Sequence, residues 1–166
     1  MYGFMTTGTA AFLHQLMEKQ PKKEFQFMRS GTKALLYYED TKKKSIFVSG
    51  RSGEILFNTS LFASKGFVVM YHIPVPQEET AVFEYKIKSR LKRIADHPNV
   101  NAIRFLNENK SIYYIIIIQW KQESDYNHWK KLATDTDSDF FNMAKLPASF
   151  TDRPFTNTYY MIKDSE

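Results

Sequence analysis

Cysteine does not occur in this chain. Disulfide staples, thiolate metal sites and cysteine nucleophiles are therefore excluded. Histidine is scarce, with four residues, and no two have a spacing that would force a metal site. Glycine is equally sparse. Its six residues are scattered as turn formers, so no Walker loop, dinucleotide fingerprint or nucleophile elbow can be assembled. Long apolar runs are missing too. The longest, residues 112–118, is too short to span a bilayer. The first eight residues have neither a basic start nor an apolar stretch, which reads as no secretory leader and a cytoplasmic location. Positive charge is only mildly in excess, at +5. That permits an acidic ligand, or peripheral contact with an anionic membrane face, and requires neither.

What is present is the composition of a folded protein. In 166 residues, 43% are hydrophobic and 16% aromatic, enough for one substantial core or two small ones. Charged residues make up 25%, so the chain is no disordered tail.

The clearest element order lies in residues 67–120. Residues 67–75 form an apolar run that ends at proline, the pattern of a buried strand. Gln77-Glu78-Glu79-Thr80 places acids where a helix dipole favours them. Phe83, Ile87, Leu91 and Ile94 then recur at helical spacing, and His97-Pro98-Asn99 ends the helix. Residues 100–106 and 112–120 read as a hairpin joined by a polar turn at 107–110. A second helix follows, capped by Ser124 or Asp125, with Tyr126 and Trp129 on one face. Residues 139–145 make a short helical segment and 155–162 a closing strand. The order β-α-β-β-α-β is that of a ferredoxin-like domain.

The earlier residues repeat this order loosely. A strand at 2–7 precedes a helix capped by Thr9, with Ala10, Leu13, Leu16 and Met17 as its apolar stripe. Residues 25–28 and 34–38 form a hairpin, 45–48 a short strand and 54–61 a short helix. The chain thus divides into an N-terminal α+β part, 1–63, and a ferredoxin-like domain, 67–162, with a joint too short to act as a free linker.

Several features invite functional readings. The basic face of the 79–97 helix and the aromatics Phe105, Tyr113 and Tyr114 suggest base stacking. Residues 101–106 lack the glycine and paired aromatics of an RNA-binding strand, so no nucleic-acid partner is expected. The acidic run at 134–139 lacks the central glycine and terminal glutamate of a calcium loop and reads as a turn. Tyr71 and His72 fall on opposite faces of one strand, where each is first read as a hydrogen-bonded core residue. Trp129 is first read as core packing.

The joint order of several stretches carries a resemblance. They include residues 7–13, Leu35-Leu36-Tyr37-Tyr38-Glu39, Gly66-Phe67 into Ile73-Pro74-Val75, residues 102–106, Gln119-Trp120-Lys121, Asp125-Tyr126 with Trp129, and Arg153-Pro154 into Tyr159-Tyr160. Together they resemble the antibiotic-biosynthesis-monooxygenase superfamily, in particular its two-part group of Bacillus haem-degrading monooxygenases and staphylococcal TRAP proteins. The resemblance implies an α+β, ferredoxin-like fold of the dimeric α/β barrel type. Antiparallel sheets would carry helices on one face, and the two halves of one chain would stand in for two subunits. The molecule is then expected as a monomer or weak homodimer.

The resemblance also implies haem as cofactor and substrate, cleaved with dioxygen and an external electron donor. Haem-degrading relatives use an asparagine that falls on Tyr71, a tryptophan retained as Trp129, and an axial histidine that falls near Asn142. Asn142 is a poor iron ligand, and the neighbouring Met143 offers a thioether instead. Arg90 and Lys86 are the cations expected at the propionates. The alternative is a non-catalytic haem-binding protein, or a TRAP-like regulatory or stress protein with a degenerate pocket.

Overall fold

Eight antiparallel strands close into a single barrel in the computed structural model, which describes residues 1–132, 137–144 and 146–161. In chain order the elements are β1 (Tyr2–Gly8), α1 (Ala10–Lys19), β2 (Gln26–Ser30), β3 (Lys33–Asp40), β4 (Arg51–Asn58) and β5 (Gly66–Pro74). After a 3-10 turn at Gln77–Glu79 come α2 (Thr80–Ala95), β6 (Val100–Glu108), β7 (Tyr113–Trp120), α3 (Glu123–Leu132), α4 (Asp137–Asn142) and β8 (Phe155–Met161). Around the barrel the order is β1-β3-β2-β8-β5-β7-β6-β4.

That order contains one pattern twice. β4-β1-β3-β2 and β8-β5-β7-β6 each place a fourth strand beside a first, then a third and a second. The loose repeat of element order in the sequence is therefore a repeat of topology. α1 connects the first two strands of one set, as α2 does in the other. The two seams between the sets differ. β4 pairs with β6 from Gly53↔Glu108 to Asn58↔Arg104 through a bulge. β2 meets β8 at one residue pair, Arg29↔Tyr160.

Alternation sends one face of each strand inward and the other under a helix. Phe67, Val69, Tyr71 and Ile73 join Phe83, Ile87, Leu91 and Ile94 of α2 in the largest core. Val68 and Met70 face the barrel interior with Met5, Met28, Leu35, Ile115, Ile117 and Met161. Leu13 of α1 packs on Phe27, Ala34 and Leu36 outside the first set. The Thr9 hydroxyl accepts the Phe12 N–H at 3.2 Å, the expected cap. Phe105 and Tyr114 lie buried beneath α2, which removes them as a base-stacking surface.

Two local expectations fail. Residues 54–61 were expected to be helical, and Arg51–Asn58 is instead β4, held by β1 on one side and β6 on the other. Its Glu, Ile and Leu residues suit a helix, but two ladders of hydrogen bonds outweigh a propensity worth a few tenths of a kcal/mol per residue. Residues 45–48 were expected to be a strand and form bends. Both edges of β3 are already occupied by β1 and β2, so this segment has no ladder to join. It folds over the outer surface, with the Ile46 N–H donating to the Tyr38 hydroxyl at 2.9 Å and Phe47 set edge-on to Tyr38. A smaller correction concerns α3. Its first residue is Glu123, so Ser124 and Asp125 lie inside the first turn. Asp125 reaches back to accept the Gln122 N–H at 3.1 Å.

The chain between the two strand sets seals one end of the barrel. Gln119 points inward and clamps Ala63, accepting its N–H at 2.8 Å and donating to its carbonyl at 2.9 Å. Arg104 joins Glu39 and the Ser60 carbonyl at the same end. No helix among the described residues is long and apolar enough to cross a membrane.

Candidate functional site

The outer face of β5, β7 and β8 and the helices α2, α3 and α4 bound the space in which the resemblance places a ligand. Tyr71 stands at the centre of its floor, paired across the sheet with Ile116 and Thr156. It has no exposed surface. Phe140 of α4 lies edge-on to it with ring centres 5.0 Å apart, and Phe141 stands at 6.5 Å. Phe140 is also fully buried.

Trp129 projects from α3 toward the same sheet and is 9% exposed. It packs against Trp120 at 5.3 Å and Tyr126 at 6.3 Å. Trp120 in turn meets His97 edge-on at 5.1 Å. The Trp120 indole N–H is buried with no hydrogen-bond partner among the described residues. Arg90 approaches from α2, its guanidinium carbon 5.9 Å from the centre of the Phe140 ring. Met143 is half-buried against the same core.

Four of the six residues nominated from sequence therefore converge: Tyr71, Trp129, Arg90 and Met143 all belong to, or border, the aromatic cluster around Phe140. The other two do not. Lys86 and Asn142 are exposed, the first on the outer side of α2 and the second at the end of α4. Of the acidic run read as a turn, residues 134–136 lie outside the described residues, and Asp137 to Asp139 instead open α4. Sequence reasoning passed over Phe140, whose signal was present. It is the inward member of the Phe140-Phe141 pair on a six-residue helix, and a paired aromatic beside a short helix is a natural plug.

Between these contacting pairs of the described residues there is no room for a haem. A flat macrocycle held between two surfaces needs them about 7 Å apart, twice the contact distance of carbon atoms. Tyr71 and Phe140 meet at 5.0 Å and Trp120 and Trp129 at 5.3 Å, so sheet and helices are already in contact. No group of three or more His, Asp or Glu residues that could hold a metal occurs among the described residues. His97 uses its Nδ1 to accept the Asn99 N–H at 3.1 Å, which ties down the α2–β6 turn.

Inside the barrel, His72 departs from expectation. It was read as a hydrogen-bonded core residue, and it is 3% exposed with neither ring nitrogen partnered among the described residues. Its ring stacks on Phe155 at 4.3 Å, nearly parallel. Burial, and then the charge of Arg51, depress its pKa from 6.5 to about 4, so it is neutral at pH 7. Arg51 itself donates to Glu108 at 2.7 Å across the β4–β6 seam.

No protein-family model matches the chain. A haem-degrading monooxygenase of Listeria monocytogenes is 26% identical over 128 residues, covering 77% of this chain and 76% of that protein. A ferredoxin-fold protein of Listeria monocytogenes related to antibiotic biosynthesis monooxygenases superposes with a TM-score of 0.84 at 22% identity, over 98% of this chain and 94% of that one. A staphylococcal protein described as a major regulator of pathogenesis superposes with a TM-score of 0.80 at 19% identity, over 98% of this chain and all of that one (100%).

Proposed function

We propose, given that fold and sequence similarity together place this chain in the antibiotic-biosynthesis-monooxygenase, ferredoxin-like superfamily, that it is a non-catalytic, regulator-type member whose superfamily cleft is closed by its own side chains. The observation that carries this reading is the contact of Tyr71 with Phe140, both without exposed surface. A site that turns over a macrocycle needs room for it and a ligand for its iron. Tyr71 and Phe140 close the part of that room where they meet, and the resemblance puts the axial histidine near Asn142, an exposed amide. The staphylococcal regulator has the same fold along its whole length, so the fold also serves a protein described by a regulatory role.

The competing reading is a haem-degrading enzyme. It is favoured by the 26% identity to the Listeria monooxygenase and by Trp129 and Arg90 bordering one cluster. In it, Trp129 would pack along a bound haem, Arg90 would meet a propionate, and haem would supply the dioxygen chemistry.

A haem titration of the purified chain separates the two. The expected result is no stoichiometric shift of the Soret band. A stoichiometric complex that survives reductant and dioxygen makes the protein a haem binder. A complex that bleaches under those conditions makes it the enzyme, and either outcome overturns the closed-cleft reading.

A further inference from the structure

The unsealed end of the barrel holds a cavity on the opposite side of the sheet from the aromatic cleft. It measures about 360 Å³, within the range of small-molecule sites. Both strand sets line it: Arg51 from β4, His72 from β5, and Asn157 and Tyr159 from β8. Phe155, Met70, Met5 and Leu35 supply its apolar wall. A second cleft of about 610 Å³ adjoins it, sharing Thr7, Asn157 and Tyr159 and adding Lys33. The two meet at Thr7 of β1 and Asn157 and Tyr159 of β8, beside the β2–β8 seam, where a single residue pair joins the strands.

We propose that this mouth binds a small amphipathic anion, its carboxylate on the Arg51 guanidinium and its apolar body between Phe155 and the methionine-lined interior. Four observations converge on that chemistry. Arg51 uses one terminal nitrogen on Glu108, its one hydrogen-bond partner among the described residues, and a guanidinium has five donors arranged to grip a carboxylate. Phe155 stacks on the His72 ring at 4.3 Å and has the Arg51 guanidinium 5.7 Å from its centre, which sets an apolar ring of the cavity lining beside a cation. His72 is buried at the cavity wall with two unpartnered nitrogens, and a buried polar group without a partner costs about 1–3 kcal/mol. A polar ligand atom offers the partner that the described residues withhold.

The fourth observation is the interior. Met5, Met28, Met70 and Met161, four of the chain's seven methionines, face into the barrel. Unbranched thioethers repack at low cost, so the interior can admit an apolar body without breaking a ladder. Glu108 is the carboxylate paired with Arg51, and it limits affinity by sharing that cation. A free anion and Glu108 compete for one guanidinium.

The test is an NMR titration of the full chain, carrying labelled methionine methyl groups, with 2-naphthoate. The neutral 2-naphthamide serves as control. Saturable shifts at Met5 and Met70, with Met143 in the aromatic cleft unmoved, are the expected result. Arg51→Gln should weaken binding by about tenfold, the scale of one charge-assisted contact. Glu108→Gln should strengthen it several-fold, and this variant decides the matter if Arg51→Gln fails to fold. Shifts confined to Met143, equal binding of the amide, no shift at millimolar naphthoate, or a Glu108→Gln protein that binds no better would each overturn the proposal.

Discussion

Arg104 on β6 and Glu39 on β3 meet at 2.6 Å, a bond between the two strand sets at the sealed end of the barrel. The Arg104 side chain is 2% exposed. It also donates to the Ser60 and Ile103 carbonyls at 2.9 and 2.8 Å, and its guanidinium carbon lies 4.7 Å from the centre of the Phe62 ring. Tyr37 adds a further donor to Glu39 at 2.6 Å. Burial, and then the Glu39 charge, hold the Tyr37 phenol well above its ordinary pKa, so it remains a donor throughout the physiological range.

Removing one partner of this pair leaves the other charge stranded. Glu39→Leu is expected to destabilise the fold by about 2–3 kcal/mol, below the full value for a buried pair because Glu39 is partly solvated. The double variant Arg104→Met with Glu39→Leu should lose less than the sum of the single losses. Urea unfolding of the four proteins measures both quantities. Strict additivity would show that the pair is not coupled.

His72 makes stability depend on pH. Its folded pKa, about 4, lies below its ordinary 6.5, so the unfolded chain binds the proton more tightly. Stability is fully present above about pH 6.5 and falls as the pH drops toward 4, by about 3 kcal/mol at most. The charged group that acts on it is Arg51, itself paired with Glu108. His72→Phe should flatten that part of the profile in thermal melts. An unchanged acid limb would assign the loss to other groups.

Gly50 is held by close backbone approach. Its φ is 141°, and a Cβ placed there would sit 2.1 Å from the Met5 carbonyl oxygen. Gly50→Ala therefore has both a strained backbone and a collision with main chain, and should cost at least about 2 kcal/mol. Gly31→Ala is the control. It has a φ of 64° but nothing within 4 Å, so its cost should be smaller. Chemical denaturation ranks the two variants, and an equal cost would remove the argument from close approach.

Asn142→His alone should not create haem binding, because Phe140 still occupies the floor above Tyr71. Adding Phe140→Ala clears that floor, but residue 142 stays at the exposed end of α4, so the double variant should shift the Soret band no more than the single. The truncation itself should cost about 3–5 kcal/mol, as expected for a fully buried phenylalanine. Titration of the single and double variants measures this. A shift with Asn142→His alone would mean that the cleft opens without the truncation.

Local periodicity and capping were legible in the residues themselves. The alternation in β5, the stripe Phe83, Ile87, Leu91 and Ile94, the Thr9 cap and the α+β order all follow from contacts within a few residues of one another, and all appear in the structure. Residues 51–58 became a strand only because β1 and β6 each offered an edge, and nothing in their own order signals those partners. The convergence of Arg51 and His72 on one cavity, and the contact of Tyr71 with Phe140, likewise join residues from distant parts of the chain. A side chain's chemistry is written in the sequence. Whether it faces a cavity or fills one depends on barrel closure and packing, which are long-range events that no local pattern encodes.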